Sequence, residues 1–153
     1  MMVDLHDDRL ALATELGATH VINALREDAV ARIRELSETG GVDFSLECTG
    51  NDKVLVQAID ALRIPGDGGL VGAPAAGARV NLDMNTLLFG RTVRGIIEGD
   101  SVPQVFIPQL IELWRLGKFP FDRLVKFYDL ADINQAIADS ESGLVLKPIV
   151  RPT

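Results

Sequence analysis

The segment GGVDFSLECTGN, residues 40–51, contains a helix end, a strand and a turn into the next helix. Its glycine pair is typical of the residues that follow a helix. Residues 42–47 alternate between apolar and polar side chains, which predicts a β-strand. The small residues at 48–50 then turn the chain into a helix predicted for residues 52–62. A strand flanked by helices in this way indicates an α/β fold with a largely parallel sheet.

The same alternation continues on both sides of this segment. Short apolar runs predict strands at residues 1–5, 20–23, 68–73, 91–98, 124–128 and 144–150. Amphipathic stretches predict helices at residues 9–16, 27–39, 85–89, 103–116 and 130–139. No internal repeat, low-complexity tract or linker interrupts the pattern.

The composition excludes several classes of function. The chain has 153 residues and a formal net charge of −7. It has no cluster of basic residues, which disfavours a role in binding nucleic acid or anionic membranes. The longest apolar run, residues 105–116, is interrupted by Pro, Gln and Glu, which disfavours a membrane span. The single cysteine, Cys48, excludes an internal disulfide and leads us to expect a cytoplasmic protein. One cysteine and two histidines also cannot form a cysteine-rich zinc site.

An acidic residue, Asp4, ends the first predicted strand directly before a helix. In dinucleotide-binding folds, an acid at this place accepts hydrogen bonds from the ribose hydroxyls of the adenosine. Its charge would also repel a 2′-phosphate, which favours NAD over NADP. A solvated turn and a cap for the helix are the alternative interpretations of this residue.

Two later strand ends carry small residues, at Thr49-Gly50 and at Val71–Ala73. Small residues let a nucleotide approach the backbone at the carboxyl edge of a sheet, although ordinary strand-to-helix turns use the same residues. The nearby glycines do not form a GxGxxG fingerprint, because no helix opens directly after them. We expect Cys48 to be a small buried hydrophobic residue rather than a reactive thiol. These residues alone do not support catalysis.

Several blocks of the sequence, taken in order, resemble the zinc-dependent, medium-chain alcohol dehydrogenases. They are VDL and ELGATHVIN (residues 3–5 and 15–23), GGVDFSLECTGN (40–51), GGLVGAPAAG (68–77) and residues 89–152. The blocks are similar to the second to fifth strands of that family's cofactor domain and to its C-terminal segment. The details EGDS (98–101) and GKFP (117–120) resemble the aryl- and benzyl-alcohol branch.

The resemblance implies that four residues bind the adenosine half of NAD. Asp4 would hold the adenosine ribose, Arg9 would lie beside it, and Thr49 would flank the adenine. Lys147 stands where relatives place a basic residue near the pyrophosphate, and a solvated lysine before a strand is the alternative interpretation.

The resemblance also assigns five residues to the nicotinamide end of the cofactor. Val71, Gly72 and Ala73 would line it with backbone groups that meet the carboxamide. Ile96 and Glu98, expected at the end of the sixth strand of the family, would do likewise. Zinc serves the intact family, but this sequence offers no ligands for it.

Residues 1–153 thus resemble a truncated dinucleotide-binding domain plus the C-terminal family segment. The zinc-carrying domain, the first strand and the glycine-rich loop of the family have no counterpart here. We therefore expect an incomplete Rossmann-type parallel sheet with flanking helices instead of a regular six-stranded sheet. The strands at Met1 and Val42 would close up, the N-terminal piece would detach, or another chain would fill the gap.

Three functions are compatible with this interpretation. The first is the cofactor-binding portion of an NAD-dependent, zinc-assisted alcohol dehydrogenase acting on an aromatic alcohol. This chain alone would then be inactive and would bind NAD weakly or not at all. The second is a weak nucleotide-binding module that complements another polypeptide. The third is a homo-oligomer formed through the edge strand Arg91–Glu98.

Overall fold

The computed structural model describes residues 1–152 and contains two compact units, Met1–Asp100 and the residues from Ser101 onwards. The first unit contains β1 (Met2–Asp4), α1 (Asp7–Glu15), β2 (Val21–Asn23), α2 (Ala29–Leu36), β3 (Val42–Glu47), α3 (Asp52–Asp60), β4 (Leu62–Leu70), α4 (Met84–Leu88) and β5 (Thr92–Gly95). The second contains α5 (Pro103–Arg115), β6 (Val125–Asp129), α6 (Ile133–Glu141) and β7 (Lys147–Arg151).

All strand pairs recorded in residues 1–152 are parallel, which confirms the predicted α/β class. In the first unit, β1 pairs with β2, and β3, β4 and β5 form a separate three-stranded sheet in that order. In the second unit, β6 pairs with β7. The prediction that the chain does not form a regular six-stranded sheet is therefore confirmed.

The two sheets of the first unit share a core although they do not share a hydrogen-bonded edge. Ile22 of β2 and Ile33 of α2 pack with Ala61, and Val42 of β3 packs against the same cluster. β1 and β3 have not closed up against each other, and the N-terminal piece has not detached from the unit. Apolar burial, which needs no strand pairing, holds them together.

The strand β4 begins six residues earlier than expected and ends before Val71. The predicted helix 52–62 extends to Leu62, yet Leu62 already belongs to the strand and pairs with Val42. The pairing of β3 with β4 shifts register between Val42 and Phe44, opposite the segment of β4 that contains Pro65. Sheets accept proline at irregularities of this kind. Residues 71–73 therefore lie in the loop after β4, which corrects the predicted strand 68–73.

The strand β5 is also shorter than the predicted strand 91–98. It ends at Gly95, so Ile96 follows the strand and Glu98 lies in a tight turn over Glu98–Asp100. Glu98 and Asp100 both have positive φ angles, of 50° and 52°, which no extended strand can contain. The strand does lie at the edge of its sheet, as expected.

Beyond Val42, the apolar side chains of β3 are exposed. Phe44 is 74% exposed and Leu46 is 66% exposed, whereas Glu47 is 1% exposed. α3 packs against β3 and β4, and it buries Ile59 beside Leu62. The charged end of β3, and not its aromatic residue, is thus the buried part of the strand.

The second unit has its own small core beneath α6. Tyr128, Ala136 and Val145 are buried together. The buried carboxylate of Asp139 accepts hydrogen bonds from the Tyr128 hydroxyl (2.5 Å) and from the Gln135 amide (2.6 Å). No helix between residues 1 and 152 combines the length and the apolar character needed to cross a bilayer.

Candidate nucleotide-binding site

The loops that follow β3 and β4 meet at the carboxyl edge of the three-stranded sheet. The carbonyl oxygen of Glu47 accepts hydrogen bonds from the Val71 N–H (2.8 Å) and the Gly72 N–H (3.0 Å). A Cβ atom built on Gly72 would lie 2.1 Å from the Gly50 nitrogen and 2.6 Å from the Thr49 nitrogen. Only glycine therefore fits at position 72 without moving these loops.

The second glycine of this contact, Gly50, lies equally close to the other loop. It has a φ of 72°, and a Cβ on it would lie 2.5 Å from the Ala73 oxygen. The structure therefore brings Thr49, Gly72 and Ala73 together, as the sequence predicts for small residues at neighbouring strand ends. The result is a close backbone-to-backbone contact between the two loops at the carboxyl edge of the sheet.

The end of β5 adjoins the same edge of the sheet. The Ile96 N–H donates to the carbonyl oxygen of Leu70, at the end of β4, over 2.9 Å. The side chains of Ile96 and Leu46 approach Gly69 so closely that a Cβ there would lie 2.7 Å from each. Glu98, two residues beyond Ile96, is exposed.

A buried carboxylate, which the sequence reasoning missed, organises the turn after β3. Glu47 Oε1 accepts from the Thr49 N–H (2.6 Å), the Thr49 hydroxyl and the Gly50 N–H (3.1 Å). Its Oε2 accepts from the Gly50 N–H as well (3.0 Å). The signal for this role is present in the sequence, since an acid that precedes Thr-Gly by two residues can reach back to the donors of a tight turn.

The charges of this turn affect two pKa values. Burial alone would raise the pKa of Glu47, but the hydrogen bonds from Thr49, Gly50 and Asn51 outweigh it and lower that pKa. Burial, together with the Glu47 carboxylate, raises the pKa of the Cys48 thiol. Cys48 is nevertheless exposed, so the expectation of a buried cysteine is wrong. Its side chain points away from the core because Glu47 occupies the buried side of this strand end.

Asp4 and Arg9 form a second group, at the end of β1. Asp4 Oδ1 accepts from the Leu5 N–H (2.7 Å) and the His6 N–H (3.0 Å), so the carboxylate also supports the entry into α1. Its Oδ2 lies 3.9 Å from Arg9 Nη1, and both side chains are partly buried. The Oδ1 atom thus holds the turn that precedes α1 and does not cap the helix itself, which begins at Asp7, whereas Oδ2 takes no part in these bonds.

Lys147 belongs to the second unit, whereas the other eight predicted site residues belong to the first. It is the first residue of β7, opposite Val125 of β6, and it is exposed. Within the described part of the chain, no three His, Cys, Asp or Glu side chains gather into a group that could hold a metal ion. These residues therefore do not fit the zinc that serves the family.

A parallel α/β sheet with small-residue loops at its carboxyl edge is typical of the cofactor domain of a dehydrogenase. The family described as zinc-binding dehydrogenase matches residues 1–115. The chain belongs to this family, and the resemblance stated from its sequence is confirmed.

Three relatives show how much of a whole dehydrogenase the chain represents. A geraniol dehydrogenase of Castellaniella defragrans is 40% identical over 152 residues, which are 98% of this chain and 40% of the relative. The crystal structure of benzyl alcohol dehydrogenase from Acinetobacter calcoaceticus is 49% identical, with a TM-score of 0.95, over 99% of this chain and 42% of that one. An alcohol dehydrogenase zinc-binding domain protein from Burkholderia ambifaria is 59% identical, with a TM-score of 0.94, over 98% and 41% of the two chains. The chain therefore spans about two fifths of the length of these relatives.

Proposed function

We propose that this chain is the cofactor-binding portion of an NAD-dependent alcohol dehydrogenase that oxidises an aromatic alcohol to its aldehyde. The proposal is carried by the convergence of the loops after β3, β4 and β5 on one sheet edge, where Gly50 and Gly72 let the first two loops pack backbone against backbone. Likeness to a benzyl alcohol dehydrogenase supports the aromatic substrate class. NAD, when bound, accepts a hydride from the alcohol carbon.

The adenosine half of NAD would be held by Asp4, Arg9 and Thr49. The Asp4 Oδ2 atom is the acceptor for the ribose hydroxyls, and its charge selects against a 2′-phosphate. Arg9 lies beside that oxygen, with its Nη1 atom 3.9 Å away. The basic side chain of Lys147 would neutralise the pyrophosphate, as the family resemblance implies.

The nicotinamide half would lie against the backbone of residues 71–73, with Ile96 and Glu98 beside it. Hydrogen bonds to the carboxamide would come from backbone groups other than the Val71 and Gly72 N–H groups, which donate to the Glu47 carbonyl oxygen. This orientation is the chain's own contribution to the reaction. In the family, zinc polarises the alcohol oxygen, and we propose that its ligands lie outside these residues.

Titration of the isotope-labelled chain with NAD, followed by the amide NMR signals, tests the cofactor site. We expect shifts at Thr49, Gly50 and Gly72 in the millimolar range, because residues 1–153 contain no GxGxxG fingerprint that would place a helix N-terminus at the pyrophosphate. The variant Asp4→Asn should weaken binding, whereas Asp8→Asn, an exposed acid of the same helix start, should not. Shifts confined to other residues would contradict the site, and micromolar affinity would contradict the expected weakness.

An activity assay of the purified chain with benzyl alcohol and NAD tests the rest of the proposal. We expect no turnover from this chain alone, because its described residues provide no zinc ligands. Turnover that survives metal chelation and a second purification step would refute this expectation.

An oligomeric or complementing role is a second candidate. In the described part of the chain, β5 pairs on one side only, so its other edge presents backbone donors and acceptors to a partner. Light scattering distinguishes this candidate, and a monomer at high concentration would count against it. We also propose a cytoplasmic location, which the single cysteine supports.

A further inference from the structure

The geometry points to Glu47 as the positioning residue that fixes the nucleotide-facing loops after β3 and β4, by its side chain in the first loop and by its backbone in the second. This inference rests on the proposed function, because it concerns the same cofactor site. Glu47 acts through Thr49 and Gly72, and it does not touch the reacting atoms.

The side chain of Glu47 holds the turn after β3. Both carboxylate oxygens accept hydrogen bonds from the turn, from two N–H groups and one hydroxyl of Thr49 and Gly50. The residue is 1% exposed, so water cannot replace these contacts if they are lost. Because the local donors occupy the carboxylate, it is not available as a general acid or base.

The backbone of the same residue holds the loop after β4. Its carbonyl oxygen accepts from Val71 and Gly72, and Gly72 in turn packs directly on the Thr49 and Gly50 nitrogens. A shift of Glu47 therefore moves the proposed adenine contact and the proposed nicotinamide contact together. No other residue in the described part of the chain is recorded as bonding to both loops in this way.

The negative charge of Glu47 is essential to this arrangement. A glutamine has nearly the same shape, but its amide carries two N–H donors where the carboxylate has only acceptors. Facing the N–H groups of Thr49 and Gly50, that amide would leave at least one donor without an acceptor. The lost charge-assisted hydrogen bonds would let the turn move away from its nucleotide-facing position, so we expect E47Q to weaken NAD binding by about tenfold or more.

Cys48 follows Glu47 directly, is exposed and is the only cysteine of the sequence, so alkylation of its thiol reports NAD binding at this turn. We would measure the rate of Cys48 alkylation in the intact chain with and without millimolar NAD. The wild-type chain should be protected by NAD, and E47Q should need about ten times more NAD for the same protection. D43N is the matched control, because Asp43 lies on the same strand and loses the same charge, but its ion-pair partner is the Arg63 side chain.

The pH profile of the alkylation tests whether the Glu47 carboxylate lies beside the Cys48 thiol. The carboxylate contributes to the raised pKa of Cys48, so E47Q should move the profile to lower pH, whereas D43N should leave it unchanged. Loss of the charge lowers this pKa whether or not the loops move. The positioning itself is therefore read from the NAD protection, measured under conditions in which urea unfolding shows every variant to be fully folded.

The possible outcomes separate this inference from the function on which it rests. Absence of protection in the wild-type chain would overturn the proposed function and this inference with it. Equal protection of wild type and E47Q would overturn the inference alone. If E47Q does not fold, E47D, which keeps the charge but draws it back from the Thr49 and Gly50 N–H groups, replaces it. Weaker protection of E47D would then support the inference, and unchanged protection would overturn it.

Discussion

The variant Gly72→Ala offers a direct test of the contact between the two loops. Its added methyl group would lie 2.1 Å from the Gly50 nitrogen, 2.6 Å from the Thr49 nitrogen and 2.7 Å from the Cys48 carbonyl carbon. Ordinary contacts between heavy atoms begin at about 3.5 Å, so the loops must separate by more than an ångström. All three neighbours are backbone atoms, and no side-chain rotation can relieve the overlap.

The size of the effect follows from the cost of overpacking. Inserting a methyl group into a tightly packed place costs about 1–3 kcal/mol, and the separation would also strain the Gly72 N–H bond to Glu47. We expect a loss of about 2–3 kcal/mol in the free energy of unfolding. For a unit of this size, such a loss corresponds to a fall in Tm of roughly 10 °C or more.

The assay is urea unfolding followed by far-UV circular dichroism, with Gly95→Ala as the matched control. Gly95 lies at the end of the neighbouring strand, and a Cβ there meets nothing within 4 Å. Its replacement should change stability by less than about 0.5 kcal/mol or raise it slightly, because alanine restricts the unfolded chain. Equal midpoints for Gly72→Ala and wild type would refute the close contact that the site requires.

Two further predictions concern side chains outside the site. Arg91 donates two hydrogen bonds to the Leu62 carbonyl oxygen, from Nη2 (2.6 Å) and from Nε (3.1 Å). Lysine cannot make this two-pronged contact, so Arg91→Lys should lower the free energy of unfolding in urea by about 1–2 kcal/mol. The control Arg94→Lys, at an exposed ion pair, should change it little. The hydrogen bond from Tyr128, followed by those from Gln135 and Lys126, lowers the pKa of Asp139 below its ordinary 3.8. The stabilisation by this carboxylate is therefore present above pH 3.8 and is lost as the pH falls through the lowered value. Urea unfolding can be followed by the fluorescence of Trp114, which lies in the same unit. D139N should have a lower unfolding midpoint than wild type at neutral pH, and its midpoint should fall less as the pH is lowered. If the midpoints of both proteins fall equally with pH, the Asp139 carboxylate is not the source of the acid sensitivity.

The sequence predicts the strand-turn-helix from Val42 to Asp60 well, because three independent signals agree there. The alternation marks β3, the small residues mark the turn, and Asn51 caps α3 by accepting from the Lys53 N–H (2.9 Å). The observed strand has the predicted bounds. Local agreement of this kind needs no knowledge of the rest of the chain.

The start of β4 could not be predicted in the same way. Pro65 and the glycines around it are turn residues by local propensity, and only pairing with β3 makes this stretch a strand. A shift of register between sheet neighbours is a tertiary feature, so no window of sequence contains it. The loop 71–73 is displaced from its predicted strand for this reason, although its nearness to Thr49 is as expected.

The orientation of β3 shows what period two leaves undetermined. Alternation tells which side chains share a face of the sheet, but it does not tell which face is buried. Here Glu47 is buried at the end of the strand, while Phe44 and Leu46 remain exposed. A buried carboxylate at a strand end is costly unless donors surround it, and the Thr49-Gly50 turn supplies those donors. The site and the burial pattern therefore have one cause, because the turn that would face the nucleotide is the same turn that makes burial of Glu47 possible.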